Sequence, residues 1–376
     1  MIKLIRHSTF FILFLFVIGN VKLLASNQEA IDSVYQAPEL FESDSLIELS
    51  ITTDLKALVK DVGDKNKYHK GRLSYLLGDS IVSMIVDLKT RGNFRKDRSI
   101  CAFPPMSIKF NKAESSYSHF HDNDKLKMVT HCQNRNSRFE QMLIQEYLIY
   151  KAYNIFTPES FRVRLAKITY KDSKNKMKPL TKFAFFLEDF KKMAKRNGKI
   201  ARYDKKVHQD RTIISKVTKL AIFQYLIGNT DWGVPTLHNI KLISKTPTSR
   251  LITIPYDFDW TSLVNAPYAI PNAKLNIESI HERLYRGYQR TAKELEYIFR
   301  EFRMKKERLY AIYTNCPYLN DKEKERVLNY FDEFYETIDN PKSIKSEFID
   351  RARIIKQKKI GKYIFDTIKN SIYFCG

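Results

Sequence analysis

The sequence predicts an α+β fold, with a β-rich region over residues 46–190 followed by a mostly helical region over residues 191–376. Two patterns support this prediction. Apolar and polar residues alternate along parts of the first region, as in strands that bury one face. After residue 292, apolar residues recur at the spacing of helices that bury one side. A chain of 376 residues is long enough for one large two-part unit or two ordinary domains.

The strands of the first region follow from local patterns. Ile47 and Leu49 alternate with polar residues, and a second apolar run covers residues 81–88. Two further strands are predicted over residues 161–170 and 183–190, the first by alternation and the second by a continuous apolar run. We therefore expect a mixed sheet in this part of the chain.

The helices are predicted from capping residues and helical spacing. One helix is expected to begin at Ser137, whose hydroxyl can cap the free amides while Glu140 reaches back to it. Another covers residues 213–227 and is closed by Gly228. Three more are predicted near the C-terminus, over residues 292–302, 321–338 and 346–372.

The first 25 residues are typical of a secretory signal. Lys3 precedes an unbroken apolar stretch over residues 10–18, and small residues follow a polar break. The alternative is an uncleaved anchor, but a span needs about 20 apolar residues, and Lys22 interrupts this one. We therefore predict a signal peptide over residues 1–25 and a linker over residues 26–45. The protein is expected in the periplasm, in the cell envelope or secreted, with no transmembrane span after cleavage.

The formal net charge of +23 gives the protein a long-range positive field. Such a field favours nucleic acid, anionic envelope polymers, phospholipid head groups or phosphorylated substrates. The alternative is a solvated basic surface, because the lysines are spread along the chain and are only densest over residues 171–206. No zinc-finger spacing, RNA-binding aromatic pair or basic helix indicates a specific nucleic-acid motif.

Four cysteines allow three complete pairings, and none has the CxxC or Cys/His spacing of a zinc site. Export makes disulfides the default, and a bridge between Cys101 and Cys132 is favoured. Such a bridge would close a loop of thirty-odd residues and stabilise the fold by roughly 3 kcal/mol. The alternative is that the thiols are free and buried.

Polar side chains cluster on both sides of a hairpin predicted over residues 240–254. Asp231 and Asn239 precede the hairpin, and Asp257 and Asp259 follow it. The hairpin can therefore bring these side chains around one cavity lined by oxygen atoms. Hard oxygen donors of this kind suit Mg²⁺, Mn²⁺ or Ca²⁺ rather than zinc.

These stretches carry a resemblance to a known family. Residues 228–239 and 255–260 resemble the Asn-x-Asp…Asn and Tyr-Asp-x-Asp motifs of the CotH-like spore-coat kinases and, more distantly, of HipA-type kinases. Residues 91–94 and 107–110 resemble that family's Arg-Gly-Asn turn and the Lys-bearing strand after it. From residue 46 to residue 288 the chain is also similar to uncharacterised bacterial exported proteins with the stretches RGNFR, KMVTHCQ, GNTDW and PYDFDW.

The resemblance implies a protein-kinase-like two-lobed fold. It would have a β-rich N-terminal lobe with one main helix and a mostly helical C-terminal lobe. It further implies an exported enzyme that uses Mg²⁺ or Mn²⁺ with ATP to transfer a phosphoryl group to a protein or an envelope polymer.

The same resemblance implies a role for each site residue. Asp231 would orient the attacking hydroxyl as the catalytic residue. Asn239 and Asp257 would bind the metal, and Asp259 is a further candidate ligand. Three residues are expected to face the nucleotide, namely Arg91, Lys109 and Glu188.

Two departures from the family pattern support an alternative function. In those kinases a basic residue usually follows the catalytic Asp and the Asn lies five positions on. Here Trp232 follows Asp231, and Asn239 lies eight positions on. The alternative is a catalytically inactive kinase-like scaffold that acts as a cell-envelope module binding an anionic polymer.

The stretch over residues 285–288 interleaves aromatic residues with Arg286, as anion sites do. A helix end stopped by Gly287 is the simpler interpretation of the same residues. Both interpretations remain open at the level of the sequence.

Overall fold

The computed structural model of the protein describes residues 37–354. The predicted signal peptide, most of the predicted linker and the greater part of the predicted last helix lie outside these residues. Within residues 37–354, no helix is long and apolar enough to cross a membrane.

The first half of the described chain forms a closed β-barrel. Its seven strands are β1 (Ile47–Thr53), β2 (His69–Leu77), β3 (Ser80–Thr90), β4 (Met106–Phe110), β5 (Lys125–Thr130), β6 (Val163–Asp172) and β7 (Leu180–Leu187). Their order around the barrel is β1-β2-β3-β4-β5-β7-β6. All neighbours pair antiparallel except β1 and β6, which are parallel and close the sheet.

The closed barrel overturns the predicted protein-kinase-like two-lobed fold. β1 hydrogen-bonds to β2 on one side and, along its whole length, to β6 on the other. The sheet therefore has no free edge, and the strands before and after the main helix belong to one barrel. The pairing of Ile47 with Ala166 joins residues more than a hundred positions apart, so no local pattern could indicate it.

The barrel is filled by alternate residues of its strands. Leu49 and Ile51 from β1 are buried together with Leu88 from β3 and Phe186 from β7. The intervening residues of β1 are more exposed. This alternation confirms the strand predicted at the start of the region, because one face of each strand meets the barrel interior.

Nine α-helices and a second sheet complete residues 37–354. The sheet has the order β10-β9-β8 and consists of β8 (Ile200–Arg202), β9 (Ile240–Ser244) and β10 (Ile252–Pro255). The helices are α1 (Leu55–Lys60), α2 (Lys112–Ser115), α3 (Arg138–Phe156), α4 (Phe190–Arg196), α5 (Ile214–Leu226), α6 (Ala292–Met304), α7 (Lys306–Thr314), α8 (Asp321–Asp339) and α9 (Pro341–Ile344).

Helix α3 follows Ser137, as predicted, but the predicted capping box is absent. The Ser137 side chain makes no capping hydrogen bond. The Glu140 carboxylate instead accepts hydrogen bonds from Lys182 Nζ at 2.6 Å and from the Phe183 backbone N–H at 3.3 Å. The helix is buried on most sides, where it packs against β6, β7 and α7. A tertiary contact with the barrel has therefore replaced the local cap.

Helix α5 and the β9–β10 hairpin occur where the sequence predicted them. α5 packs against β10. The chain turns after the helix at Gly228, whose φ of +61° lies in the left-handed region that favours glycine. A Cβ atom at Gly228 would clash with Ser262 and with the Tyr330 hydroxyl. The glycine is therefore needed both for the turn and for the close approach of these neighbours.

The helices predicted over residues 292–302 and 321–338 are confirmed as α6 and α8. α6 begins with a capping box between Thr291 and Glu294. The last predicted helix is described only at its start, where Lys345–Asp350 forms a π-helical turn. Together with α3 and α5, the helices enclose the larger apolar cluster of the protein.

The predicted disulfide between Cys101 and Cys132 is present, with its Cα atoms 4.5 Å apart. It fastens the long β3–β4 loop to the residues that follow β5. Cys316 is buried and has no disulfide partner among residues 37–354, and Cys375 lies outside the described residues.

Candidate functional site

One guanidinium connects three segments that are far apart in the sequence. Arg95, in the loop after β3, lies 3.0 Å from the Glu146 carboxylate on α3. Its other nitrogens lie 3.3 Å from Asp257 Oδ1 and 3.2 Å from Asp259 Oδ2, both in the chain that follows β10. We name these four residues the Arg95 cluster.

Burial controls the charges of the Arg95 cluster. It raises the pKa of Asp259 to about 8; Arg95 opposes this shift, while Asp257 and Glu146 add to it. Burial also raises the pKa of Glu146, against the effect of Arg95. For Arg95, burial acts to lower the pKa, but the surrounding carboxyl groups outweigh it and raise the pKa well above its usual value. The cluster therefore holds more acid than one cation can balance.

Asp257 is the exposed member of the cluster. Its side chain is 46% exposed, against 2% for Glu146 and 9% for Asp259. Its backbone has a φ of +65°, which is unfavourable for a residue with a Cβ atom. Its backbone N–H donates to the Tyr150 hydroxyl at 2.9 Å. This strained conformation, held by a buried tyrosine, presents one carboxylate to solvent, as is common at functional sites.

Asp231 forms a second polar group with the residues at the start of β9. Its Oδ1 lies 2.7 Å from His238 Nε2, and its Oδ2 accepts a hydrogen bond from Asn239 Nδ2 at 3.0 Å. Asn239 Nδ2 also donates to the Asp231 backbone carbonyl at 2.8 Å. The eight-residue spacing thus still places Asn239 against Asp231, because the loop doubles back through a bridge between Gly233 and His238.

The hairpin brings Asn239 close to the chain that carries Asp257. The Tyr256 N–H donates to the Asn239 carbonyl at 3.2 Å. The Asn239 amide nitrogen donates to Asp231, and among residues 37–354 no hydrogen bond is donated to its amide oxygen. Within residues 37–354, no group of three or more His, Cys, Asp or Glu side chains could by itself hold a metal. One carboxylate and one amide oxygen nevertheless fit Mg²⁺, which binds proteins through few ligands and takes the rest from phosphate and water.

A cleft of about 490 Å³ adjoins Asp257, with Tyr256 in its wall. Its walls come from the outward faces of β3, β4 and β5, from the chain after β7 and from β9. Five cationic side chains line it, namely Lys89, Arg91, Lys125, Lys127 and Lys241.

Lys127 and Lys241 both lie over the aromatic ring of Tyr256 in this cleft. Their Nζ atoms lie 5.6 Å and 5.2 Å from the centre of the Tyr256 ring. Burial, together with the charges of Arg91 and Lys241, lowers the pKa of Lys127 to about 8. So many cations in a partly dry cleft repel one another, and a polyanionic ligand would relieve the repulsion.

The sequence-predicted phosphate contacts differ in their positions. Arg91 lines the cleft, and burial lowers its pKa. Lys109 lies on β4 but is exposed and is not part of the cleft lining. Lys127, on the neighbouring strand, lines the cleft instead. It begins the KMVTHCQ stretch, which was the one signal in the sequence that could have indicated it.

Glu188 lies at the edge of the cleft, where its carboxylate is already occupied. It is buried and accepts hydrogen bonds from Arg196 Nε and Nη2, each at 2.9 Å. It also accepts a bond from the Arg162 backbone N–H at 2.9 Å. The side chain therefore fixes the turn after β7, while the neighbouring residues line the cleft.

Sequence reasoning missed two members of the Arg95 cluster. Glu146 is an acid within the apolar stretch LIQEYLIY of α3, and a buried acid in such a helix indicates a paired charge. Arg95 is the last residue of RGNFR. Two of its partners, however, are 51 and 162 positions away, and Asp259 lies beyond both, so only the tertiary structure could identify them.

No family model matches this chain, and no curated protein matches it. Among solved structures, the chain is similar to the proinflammatory kinase CtkA of Helicobacter pylori at 13% sequence identity and a TM-score of 0.35. The match covers 65% of this chain and 91% of the kinase. A similarity this low does not define the fold of this chain, and none of the three comparisons supports the resemblance to CotH-like kinases.

Proposed function

We propose that this is an exported enzyme that binds ATP with Mg²⁺ or Mn²⁺ in the cationic cleft and transfers a phosphoryl group to a protein or an envelope polymer. The observation that supports the proposal is the placement of five cations beside Asp257. Cations of this kind would bind the phosphates of ATP, and a carboxylate of this kind would hold the metal ion that accompanies them.

Each polar group has a place in this reaction. Arg91 and Lys127 contact the phosphates of the donor. Asp257 and the amide oxygen of Asn239 would hold the metal ion, which would supply positive charge next to the phosphates. Asp231 orients the acceptor hydroxyl and accepts its proton, while the hydroxyl oxygen bonds to phosphorus and the bond from phosphorus to the leaving ADP breaks.

The proposal is tested with the purified chain, radiolabelled ATP, Mg²⁺ or Mn²⁺, and protein or envelope-polymer acceptors. Asp231→Asn should abolish transfer and leave ATP binding intact, whereas Lys127→Met should weaken ATP binding. The matched control is Asp79→Asn, at an exposed turn, which should transfer as the wild type does. Absence of any ATP-dependent thermal shift, together with no labelled acceptor, would refute the proposal.

The second candidate function is a catalytically inactive envelope module that binds an anionic polymer. It is favoured by the net charge of +23 and by the lysines of α4, which lie next to the cationic cleft. In that case Asp231→Asn would leave polymer binding unchanged. Replacing Lys191 and Lys195 by Glu would abolish it, and retention on heparin would fall steeply with salt.

A further inference from the structure

Three arginines converge beside the loop that carries Asp231. Arg286, Arg290 and Arg353 line one small cavity together with Trp232. Two of them precede α6, and the third follows the last helical turn of the described chain. We name these three residues the arginine group.

The backbone around the arginine group is held by pairing rather than by a helix. The Gln289 N–H donates to the Arg353 carbonyl at 2.9 Å, and the Arg353 N–H donates to the Gly287 carbonyl at 3.0 Å. A Cβ atom at Gly287 would clash with the Tyr285 ring. The helical interpretation of residues 285–288 is therefore wrong, and the extended pairing brings Arg353 to the other two arginines.

The recorded hydrogen bonds of the arginine group go to neutral atoms. Arg286 Nη1 donates to the Thr230 carbonyl, and Arg286 Nε is buried without a partner among residues 37–354. Arg290 donates from Nε to the Thr218 hydroxyl at 2.9 Å and from Nη1 to the Gln289 carbonyl at 2.8 Å. Among residues 37–354, much of the hydrogen-bonding capacity of the three guanidiniums has no partner.

The electrostatics of the arginine group agree with this geometry. Burial lowers the pKa of Arg286 to about 10, the charge of Arg353 adds to the effect, and Asp231 opposes it. Asp231 thus partly offsets the charge of Arg286. An external anion would stabilise these cations, because it would reduce the repulsion between guanidinium groups that lie close together in a partly buried place.

We infer that the arginine group binds a phosphate group carried by the acceptor. Guanidinium groups match the oxygens of phosphate in a two-pronged geometry, and three of them suit a dianion better than a single carboxylate. The enclosed space is only about 10 Å³, room for about one water molecule. The phosphate therefore binds at its rim, where Arg290 and Arg353 are partly exposed. The role of this site in placing the acceptor near Asp231 rests on the proposed function, but phosphate binding itself does not.

Trp232 offers a direct readout of binding. The chain has two tryptophans, so Trp260→Phe leaves Trp232 as the only one, within the wall of the cavity. Inorganic phosphate is titrated into this variant against sodium chloride at constant ionic strength. We expect a saturable change in fluorescence with phosphate and none with chloride. Diethyl phosphate is titrated in parallel, since a response to it would indicate a phosphodiester of a polymer chain rather than a terminal phosphate.

Variants of Arg290 and Arg353 test whether the arginine group causes the response to phosphate. Arg353→Gln and Arg290→Gln, each in the Trp260→Phe background, should weaken phosphate binding about tenfold, as expected for losing one charged hydrogen-bond partner. The matched control is Arg308→Gln, an exposed arginine on α7, which should bind phosphate normally. Thermal melting verifies that each variant is folded. Arg286 is left unchanged, because Arg286→Gln would also remove the hydrogen bond from Arg286 to the Thr230 carbonyl in the loop that carries Asp231.

The outcomes separate this inference from the proposed function. No saturable response to phosphate, or an affinity for phosphate in both arginine variants equal to that of the Trp260→Phe protein, would overturn the inference. A phosphate response that persists in Asp231→Asn supports the site, because Asp231 is not one of its phosphate-binding residues. A wild-type protein that shows the saturable phosphate response but transfers no phosphoryl group from ATP to any acceptor would count against the proposed function alone.

Discussion

The Arg95 guanidinium lies 3.0 Å from the Glu146 carboxylate and fastens the β3–β4 loop to the middle of helix α3. The two side chains are only 11% and 2% exposed. The attraction between the two charges offsets the large free-energy cost of removing both from water. The loss of one partner therefore leaves the other charge buried without compensation. The positions of Asp257 and Asp259 depend on the same guanidinium.

Arg95→Met should therefore lower the free energy of unfolding by about 3–5 kcal/mol, measured by urea denaturation. The matched control is Arg351→Met, which removes an exposed i,i+4 pair with Glu347 and should cost less than about 1 kcal/mol. Equal losses in the two variants would show that the buried cluster is not important for stability.

The Cys101–Cys132 disulfide should contribute to stability because it restricts the unfolded chain across 31 positions. Replacing both cysteines by serine should lower the free energy of unfolding by roughly 2–5 kcal/mol. Dithiothreitol should lower the thermal midpoint of the wild type but not that of the double variant. A wild-type midpoint that does not respond to complete reduction would contradict this expectation.

Gly228→Ala should be strongly destabilising. Alanine in the left-handed region costs about 1–2 kcal/mol, and the clash of its Cβ with Ser262 and Tyr330 adds about 1–3 kcal/mol. Gly63→Ala is the matched control, because nothing lies within 4 Å of its added Cβ. If the two variants unfold at the same denaturant concentration, the close approach at Gly228 does not exist in solution.

Anion binding in the cationic cleft should weaken as the pH rises through about 8, because Lys127 loses its proton there. Sulfate is the appropriate probe, since its own charge is constant over this range, and calorimetry between pH 7 and pH 9 measures its affinity. Lys127→Arg should retain the affinity and lose the pH dependence, because an arginine stays charged throughout.

The lowered pKa of Lys127 also determines how the free energy of unfolding changes with pH. The folded protein holds the Lys127 proton less tightly than the unfolded chain does. The unfolded state therefore binds more protons between about pH 8 and the usual lysine pKa, and this group makes the free energy of unfolding rise with pH in that window. In Lys127→Met, that rise should be absent.

Local patterns in the sequence predicted much of the secondary structure. The alternation around Leu49 identified β1, and helical spacing together with Gly228 identified α5. Both strands of the β9–β10 hairpin were also predicted. These features depend on neighbours within a few positions, where periodicity and turn residues act directly. The Ser137 cap failed as a detailed prediction because Glu140 is drawn to the barrel instead.

The sequence alone also determined the net charge, the polar residues around the hairpin and the favoured cysteine pair. Only the tertiary structure decided that the sheet closes, that Arg95 joins three carboxylates, and that Lys127 rather than Lys109 lines the cleft. The physical reason is the same in each case. Parallel strand pairing and buried ion pairs join residues as far apart in the sequence as Arg95 and Asp259, and no local propensity carries information about contacts at that distance.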